Sequence, residues 1–262
     1  MITLTQAACD VLAAASPAEK IALSHRFAAA WRDGAIDEIG TARPSERPAR
    51  PAKPELKHPH EMPKRRGAGS LANRIALLHA IAHIELNAID LAWDLIARFA
   101  TPELPRAFYD DWITVADQEA THHALLAERL AALGAAYGDL PAHDGLWQAA
   151  QATAHDLLAR LAIVPLVLEA RGLDVTPDMI EKLRRQGDAA SVAVLEMIYR
   201  DEVGHVAAGQ RWFRWDCARR GLDPVAAYRD LVRRYHGGGL KPPFNRAARE
   251  QAGFAAAFYE NV

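Results

Sequence analysis

The sequence predicts an all-α protein built on a four-helix bundle, with extra helices at both ends and a proline-rich extended arm. Beyond residue 70, long stretches carry apolar residues at helical spacing, which is typical of helices that bury one face. Capping residues, glycine and proline separate these stretches where helices would begin and end. No stretch alternates apolar and polar residues convincingly enough to predict a strand. Together these features favour long helices packed side by side.

Two short helices and an arm are predicted ahead of the bundle. Residues 1–40 are predicted to form a helical extension whose second helix begins at Ser16-Pro17, since proline fits the first helical position. Residues 41–69 are rich in proline and charge, and repeated prolines disfavour both helix and sheet. Two interpretations stay open: a flexible spacer, or an arm that lies along the core of its own or a neighbouring chain.

The bundle is predicted to occupy residues 70–220. Ser70 can cap its first helix, and Gly134 and Gly221 can end its second and last helices. Gly172 is expected to end the third helix, and Thr176-Pro177 to open a separate segment. Residues 221–262 are expected to form one more helix and a tail. The predicted bundle helices cover about residues 70–100, 105–134, 146–170 and 189–220.

Charge and composition narrow the classes of partner and compartment. The formal net charge is −2, which gives no electrostatic reason to expect nucleic acid or an anionic membrane as a partner. Cys9 and Cys217 lie far apart and form no CxxC pair, which favours a reducing compartment. The N-terminus lacks the pattern of a signal peptide, and the most apolar segment, 157–170, is too short to span a bilayer. We therefore expect a cytoplasmic protein.

Acidic and histidine side chains interrupt the apolar faces of the predicted bundle helices. The interruptions follow the order Glu, Glu-x-x-His, Glu, Glu-x-x-His along the chain. Residues three apart share a helix face, so each Glu-x-x-His motif presents both side chains together. The first Glu and the first motif are 34 positions apart, and the second Glu and the second motif 33. The six residues are Glu85, Glu119, His122, Glu169, Glu202 and His205.

This donor set has a specific chemical use. A four-helix bundle with one Glu on each of two helices and a Glu-x-x-His on each of the others can hold two adjacent metal ions. Mixed oxygen and nitrogen donors suit iron or manganese better than zinc. The metal charge would offset the burial of four carboxylates, which otherwise repel and take up protons. A single Glu-x-x-His is common on solvated faces, so the prediction depends on all six residues together.

The sequence resembles the ferritin-like di-iron carboxylate superfamily. It is more closely similar to a largely uncharacterised bacterial family of ferritin-like proteins, through the phrases AHIELNAIDLAWD, FYDDWITVADQEATHH and RDEVGHVAAGQRWF. The resemblance implies that the six residues are metal ligands. It further implies that Glu119 and Glu202 bridge the two ions while Glu85 and Glu169 bind one ion each.

The resemblance also implies a hydrogen-bond partner outside the ligand set. Asp201 matches an acidic position that hydrogen-bonds a metal-bound histidine in relatives, and we expect it to bind His122. The matching position in the second bundle helix is Gln118 rather than an aspartate. This departure makes the surroundings of the two metal ions asymmetric, and the partner of His205 stays open.

Other residues near the predicted ligands have a structural and a functional interpretation. His83 lies about 160° around its helix from Glu85, so we interpret it and His79 as outer-face or helix-contact residues. His123 is interpreted as a residue at the boundary of the ligand face. Tyr199 could be redox-active, but a core aromatic with a bonded hydroxyl is favoured. A proline four residues before Glu169 should bend the third helix.

The resemblance implies oxygen chemistry. We expect an O2-dependent hydroxylase or oxidase with two metal ions, iron first and manganese as the alternative. Its substrate would be a small molecule that the sequence does not name, and an electron donor is implied. Peroxide detoxification, as in manganese-catalase-like or rubrerythrin-like proteins, and non-enzymatic iron handling are the alternatives. A homodimer is the default assembly, because symmetric dimers are common.

Overall fold

A computed structural model of the protein describes residues 2–62 and 69–262. The prediction of an all-α protein is confirmed, since nearly all regular structure in the described residues is helical. Two strands of two residues each, β1 (Leu56–Lys57) and β2 (Ala142–His143), pair in parallel. They escaped prediction because so short a strand cannot show an alternating pattern. The chain divides into two compact units, Met1–Trp147 and Gln148–Val262.

The N-terminal unit is built around a long helical hairpin. Its helices are α1 (Leu4–Ala13), α2 (Pro17–Arg32), α3 (Leu71–Phe99) and α4 (Arg106–Ala132), with a 3-10 turn at Pro59–Glu61. α3 packs along α4, α1 packs on α3, and α2 packs on α4. Ser70 begins α3 as predicted, because its hydroxyl accepts a hydrogen bond from the Asn73 backbone N–H at 3.2 Å. The tryptophans Trp31, Trp93 and Trp112 fill the core between these helices.

α3 is also long and apolar enough to cross a membrane by length and composition. However, 72% of its apolar window is buried inside the protein. A helix buried in the core of a soluble protein can be equally long and apolar. Among the described residues, no other helix is long and apolar enough to cross a membrane. The apolarity of α3 is therefore accounted for by its packing in the N-terminal unit.

The described part of the proline-rich arm, residues 41–62, packs on its own chain. The backbone N–H of Ala49 donates to the carbonyl of Leu12 at 2.8 Å. The Arg50 guanidinium reaches Asn87 Oδ1 and Asp90 Oδ2 of α3, each at 2.8 Å. These contacts support the second interpretation of the arm, a segment lying along the core. The rest of the arm includes residues 63–68, which lie outside the described residues.

The C-terminal unit surrounds one long helix. It contains α6 (Leu157–Ile163), a π-helical segment (Val164–Glu169), α7 (Ala170–Arg185), α8 (Ala189–Arg220), α9 (Pro224–Tyr235), α10 (Arg246–Gln251) and α11 (Ala256–Tyr259). A further helix, α5 (Gly145–Ala152), spans the division between the units in the chain. α8 packs on α6, the π-helical segment, α7, α9 and α10.

The predicted third bundle helix is wrong in its boundaries. Residues 153–156 interrupt it, and beyond Glu169 the helix continues through Gly172 and Pro177 to Arg185. Gly172 does not adopt the left-handed conformation with which glycine ends helices. Pro177 lacks the N–H that would bond the carbonyl four residues earlier. That carbonyl, of Leu173, instead accepts a hydrogen bond from Asn245 Nδ2 at 3.1 Å. A distant residue thus compensates for the proline.

Candidate metal centre

Two glutamates and a histidine meet between α3 and α4 in the N-terminal unit. Glu119 and His122 share one face of α4 because they are three residues apart. α3 supplies Glu85. The Nδ1 atom of His122 lies 3.1 Å from Glu85 Oε2 and 3.4 Å from Glu119 Oε2. All three residues are buried, with at most 2% of their surface exposed. Residues as far as 37 positions apart in the chain thus form one buried polar group.

The protonation of this group follows from its burial. Carboxylate oxygens accept hydrogen bonds, so His122 Nδ1 carries the proton in these contacts. Burial raises the pKa of Glu85 well above its usual range, and the neighbouring charge of Glu119 adds to the shift. Burial lowers the pKa of His122, but hydrogen bonds to Glu119 and Glu85 and their charges outweigh it and raise the pKa to about 11. The group therefore favours added positive charge.

The same group fits a metal ion. Each of Glu85, Glu119 and His122 can offer one ligand atom, and these atoms lie within 4.8 Å of one another. Carboxylate oxygen and imidazole nitrogen are donors that iron and manganese accept in proteins. A cation would take the place of the protons that the buried carboxylates otherwise attract. The N-terminal unit therefore contains a buried Glu/His group that could bind a metal ion.

The C-terminal unit carries the other predicted ligands. Glu202 and His205 are neighbours on α8, with 3.8 Å between Oε2 and Nδ1. The His205 side chain is almost fully buried, whereas that of Glu202 is 12% exposed. Glu169 is the last residue of the π-helical segment and is half-buried. The expectation that these three residues complete a set of six with the N-terminal group stays a prediction.

Asp201 and Gln118, which precede the glutamates of the two Glu-x-x-His motifs, lie on α8 and α4 as predicted. Asp201 is on α8 with its side chain 19% exposed, and its Oδ1 lies 3.6 Å from Arg200 Nε. Gln118 is half-buried on α4. The predicted hydrogen bond between Asp201 and His122 stays a prediction.

His79 and His83 make contacts with the chain that follows α4. The carbonyl of His143 lies 3.1 Å from His83 Nε2, and Asn87 Nδ2 lies 3.2 Å from the same nitrogen. The other ring nitrogen, Nδ1, lies 2.9 Å from the Tyr137 hydroxyl. His79 Nε2 accepts from the backbone N–H of Gly138 at 2.9 Å. Both histidines are therefore buried contact residues rather than outer-face residues.

His123 is buried rather than at the boundary of a face. Its Nδ1 donates to the carbonyl of Ala82 at 2.8 Å, which ties α4 to α3 beside the Glu/His group. Burial lowers the pKa of His83 and of His123, each to about 4. At neutral pH both rings are therefore uncharged.

Sequence reasoning missed Tyr137 and Arg50. Tyr137 packs against His79, His83 and His123, with ring centroids 5.4, 6.2 and 5.0 Å away. Its position in a loop carries no periodic signal. A clue to Arg50 was present, because Asp90 on the apolar face of α3 needs a cationic partner when it is buried. The identity of that partner depends on how the distant arm packs.

These observations define an all-helical protein with buried glutamate and histidine side chains that could hold a metal ion. The chain belongs to the family described as "Protein of unknown function (DUF455)", which matches residues 13–260. It is 48% identical over 209 residues to a Haemophilus influenzae protein named "Uncharacterized protein", covering 78% of this chain and 72% of the relative. No solved structure matches the chain significantly.

Proposed function

We propose that this protein is a dinuclear-metal oxidoreductase, an O2-dependent hydroxylase or oxidase of a small organic molecule. The proposal takes α3, α4, the π-helical segment with α7, and α8 as the four helices of a ferritin-like bundle. This arrangement is the one that the sequence resemblance implies. Iron is the proposed metal, and manganese is the alternative.

One observation carries the proposal: Glu85, Glu119 and His122 are buried together around a single imidazole nitrogen. Two carboxylates packed so closely are costly to bury as ions, and a histidine proton only partly offsets their charge. Such a group is rarely retained in a core for stability alone. The Glu202–His205 pair repeats its helical spacing in the C-terminal unit, which supports a second, equivalent half of the ligand set.

Each residue has a role in the proposal. Glu119 and Glu202 would bridge the ions, and Glu85, Glu169, His122 and His205 would each bind one of them. When bound, the ions would supply the redox chemistry for reaction with O2, which protein side chains lack. The chain itself would hold the ligands in place and keep water away. Buried apolar residues one turn from Glu85 and Glu119 on the same helix faces, such as Ala82, Ile89 and Ala116, suit the latter task.

The first test is metal content. Wild-type protein loaded anaerobically with Fe(II) and desalted should retain about two ions per chain by elemental analysis. Glu119→Gln and Glu202→Gln each remove the charge of a proposed bridging ligand and should lower this value. Reduced, iron-loaded wild type should then consume O2, and both variants should consume it more slowly.

The matched controls lie on the same two helices. Glu128→Gln on α4 and Glu196→Gln on α8 make the same chemical change at exposed positions, and both should keep the wild-type metal content. Wild-type protein that retains neither iron nor manganese would contradict the proposal. Manganese with O2 release from peroxide would instead identify peroxide detoxification, and iron far above two ions per chain would indicate iron handling.

A further inference from the structure

Asn245 joins two helices of the C-terminal unit. It belongs to the C-terminal segment, residues 221–262. Its Nδ2 atom donates to the carbonyl of Leu173 on α7 at 3.1 Å and to the hydroxyl of Tyr199 on α8 at 2.9 Å. Its Oδ1 atom accepts from the backbone N–H of Ala248 and thereby caps α10. Both amide hydrogens and the amide oxygen are therefore used, which fixes the orientation of the side chain.

The bond to Leu173 follows from the proline inside α7. Pro177 has no N–H, so the carbonyl of Leu173 lacks its ordinary helical partner. A buried carbonyl without a partner is unfavourable, and the Asn245 amide satisfies it. The proline therefore creates the acceptor to which Asn245 binds. A proline in the middle of a helix is destabilising, and the hydrogen bond from Asn245 offsets part of that cost.

Both helices are held one turn from a predicted metal ligand. Leu173 lies four residues after Glu169, or about 6 Å along the helix axis. Tyr199 lies three residues before Glu202, or about 4.5 Å along its own helix. Residues 186–188 connect α7 directly to α8, so the two packed helices run in opposite directions. Asn245 therefore lies on the same side of both carboxylates, toward the connecting turn.

Asn245 is itself anchored to α7. Its backbone N–H donates to Asp174 Oδ1 at 2.9 Å. The same carboxylate accepts two hydrogen bonds from the guanidinium of Arg249, at 2.9 and 2.7 Å. Arg249 is buried, and the rings of Phe244 and Tyr259 lie 5.1 and 4.4 Å from its guanidinium carbon. These contacts hold Asn245, and therefore its side-chain amide, in a fixed position against α7.

We propose that Asn245 is a positioning residue of the metal site, which sets the separation of Glu169 and Glu202 by tying α7 to α8. The inference rests on the proposed function, because it assigns these two glutamates to the metal. Carboxylates that share a metal ion need a narrow range of separations, and partners beyond the ligands commonly set them. The C-terminal segment would thus belong to the metal site although none of its residues is a predicted ligand.

The test removes the tie while keeping the helix cap. Serine can still cap α10 in Asn245→Ser, but its side chain is too short to reach Leu173 and Tyr199. We expect Mn(II), titrated into metal-free protein and followed by the EPR signal of free Mn(II), to bind about 10-fold more weakly at one of two sites. Tyr199→Phe removes one of the two bonds and should show the same change to a smaller degree.

The control loosens the same segment elsewhere. Arg229 holds the end of the chain to α9 through the carbonyls of Ala257 and Glu260 and makes neither bond of the tie. Arg229→Ala should lower thermal stability without changing Mn(II) affinity. Two Mn(II) ions bound equally well by wild type, Asn245→Ser and Tyr199→Phe would overturn the positioning role and leave the proposed function standing. Wild type that binds no Mn(II) or Fe(II) would overturn both.

Discussion

Lys20 Nζ lies 2.6 Å from Asp90 Oδ1, and neither side chain is exposed to solvent. The same ammonium donates to the carbonyl of Val11 at 2.9 Å, and Arg50 Nη2 lies 2.8 Å from the other carboxylate oxygen. Burial lowers the pKa of Lys20 and raises that of Asp90, and it outweighs their mutual attraction in both cases. One buried carboxylate therefore connects α1, α2 and the arm to α3.

Removing the cation from this pair should be costly. Lys20→Met leaves Asp90 buried with Arg50 as its remaining cation, and we expect the free energy of unfolding to fall by about 3 kcal/mol. Urea denaturation followed by circular dichroism measures the change. Lys182→Met, which breaks the exposed pair with Asp178, should cost less than about 1 kcal/mol. Equal costs for the two variants would contradict a structural role for the buried pair.

Gly209 should be required where α8 meets the π-helical segment. A Cβ atom at this position would lie 2.6 Å from Pro165 Cβ and 2.8 Å from Pro165 Cγ. We expect Gly209→Ala to destabilise the protein by about 1–3 kcal/mol, because the neighbouring backbone must move. In α7, no heavy atom of the described residues lies within 4 Å of a Cβ placed at Gly172, so Gly172→Ala should stabilise by about 0.5–1 kcal/mol. Thermal unfolding of both variants tests the contrast in sign.

Acid should destabilise the N-terminal unit through His83. Burial lowers the pKa of its ring from the ordinary 6.5 to about 4, so the unfolded chain binds the proton more tightly than the folded protein. Above pH 6.5 this ring does not affect the free energy of unfolding. As the pH falls from 6.5 toward 4, the free energy of unfolding declines by up to about 1.4 kcal/mol per pH unit. His83→Gln should show a shallower decline in urea denaturation across this window. An unchanged slope would indicate that His83 takes up its proton in the folded protein.

The packing of the arm should depend on Arg50. Arg50→Ala removes the contacts to Asn87 and Asp90, so residues 41–62 should become easier to cleave. Limited thermolysin digestion with mass-spectrometric mapping of the cleavage sites measures this. Lys57→Ala, at a residue of the same arm whose side chain is 37% exposed, should digest like wild type. Identical maps for the Arg50 variant and wild type would show that other contacts hold the arm.

Local chemistry made much of the helical structure predictable. α3 begins after Ser70, α4 begins after Pro105, and α8 ends at Gly221 in a left-handed conformation, as their capping chemistry indicates. The same helical period predicted that Glu119 and His122 share a face, and they do. Such features depend on residues within one or two turns of each other, so a single sequence contains the information.

The continuation of α7 through Pro177 could not be predicted from such local information. Proline ordinarily breaks a helix. Inside α7, Pro177 leaves the carbonyl of Leu173 without its helical partner, and Asn245, far along the chain, donates a hydrogen bond to that carbonyl. In the same way, the proline-rich arm packs on α3 through Arg50, whose partners lie about forty positions away. No rule of spacing relates such residues to one another.

The sequence by itself determined the all-helical class, the ends of α3, α4 and α8, and the helical spacing of Glu119 with His122 and of Glu202 with His205. Only the tertiary structure decided that Glu85 meets His122, that the arm lies along its own core, and that Asn245 ties α7 to α8. The physical reason is the range of the interactions. Helix periodicity and capping act over a few residues, whereas buried ion pairs and amide bridges depend on which distant segments pack together.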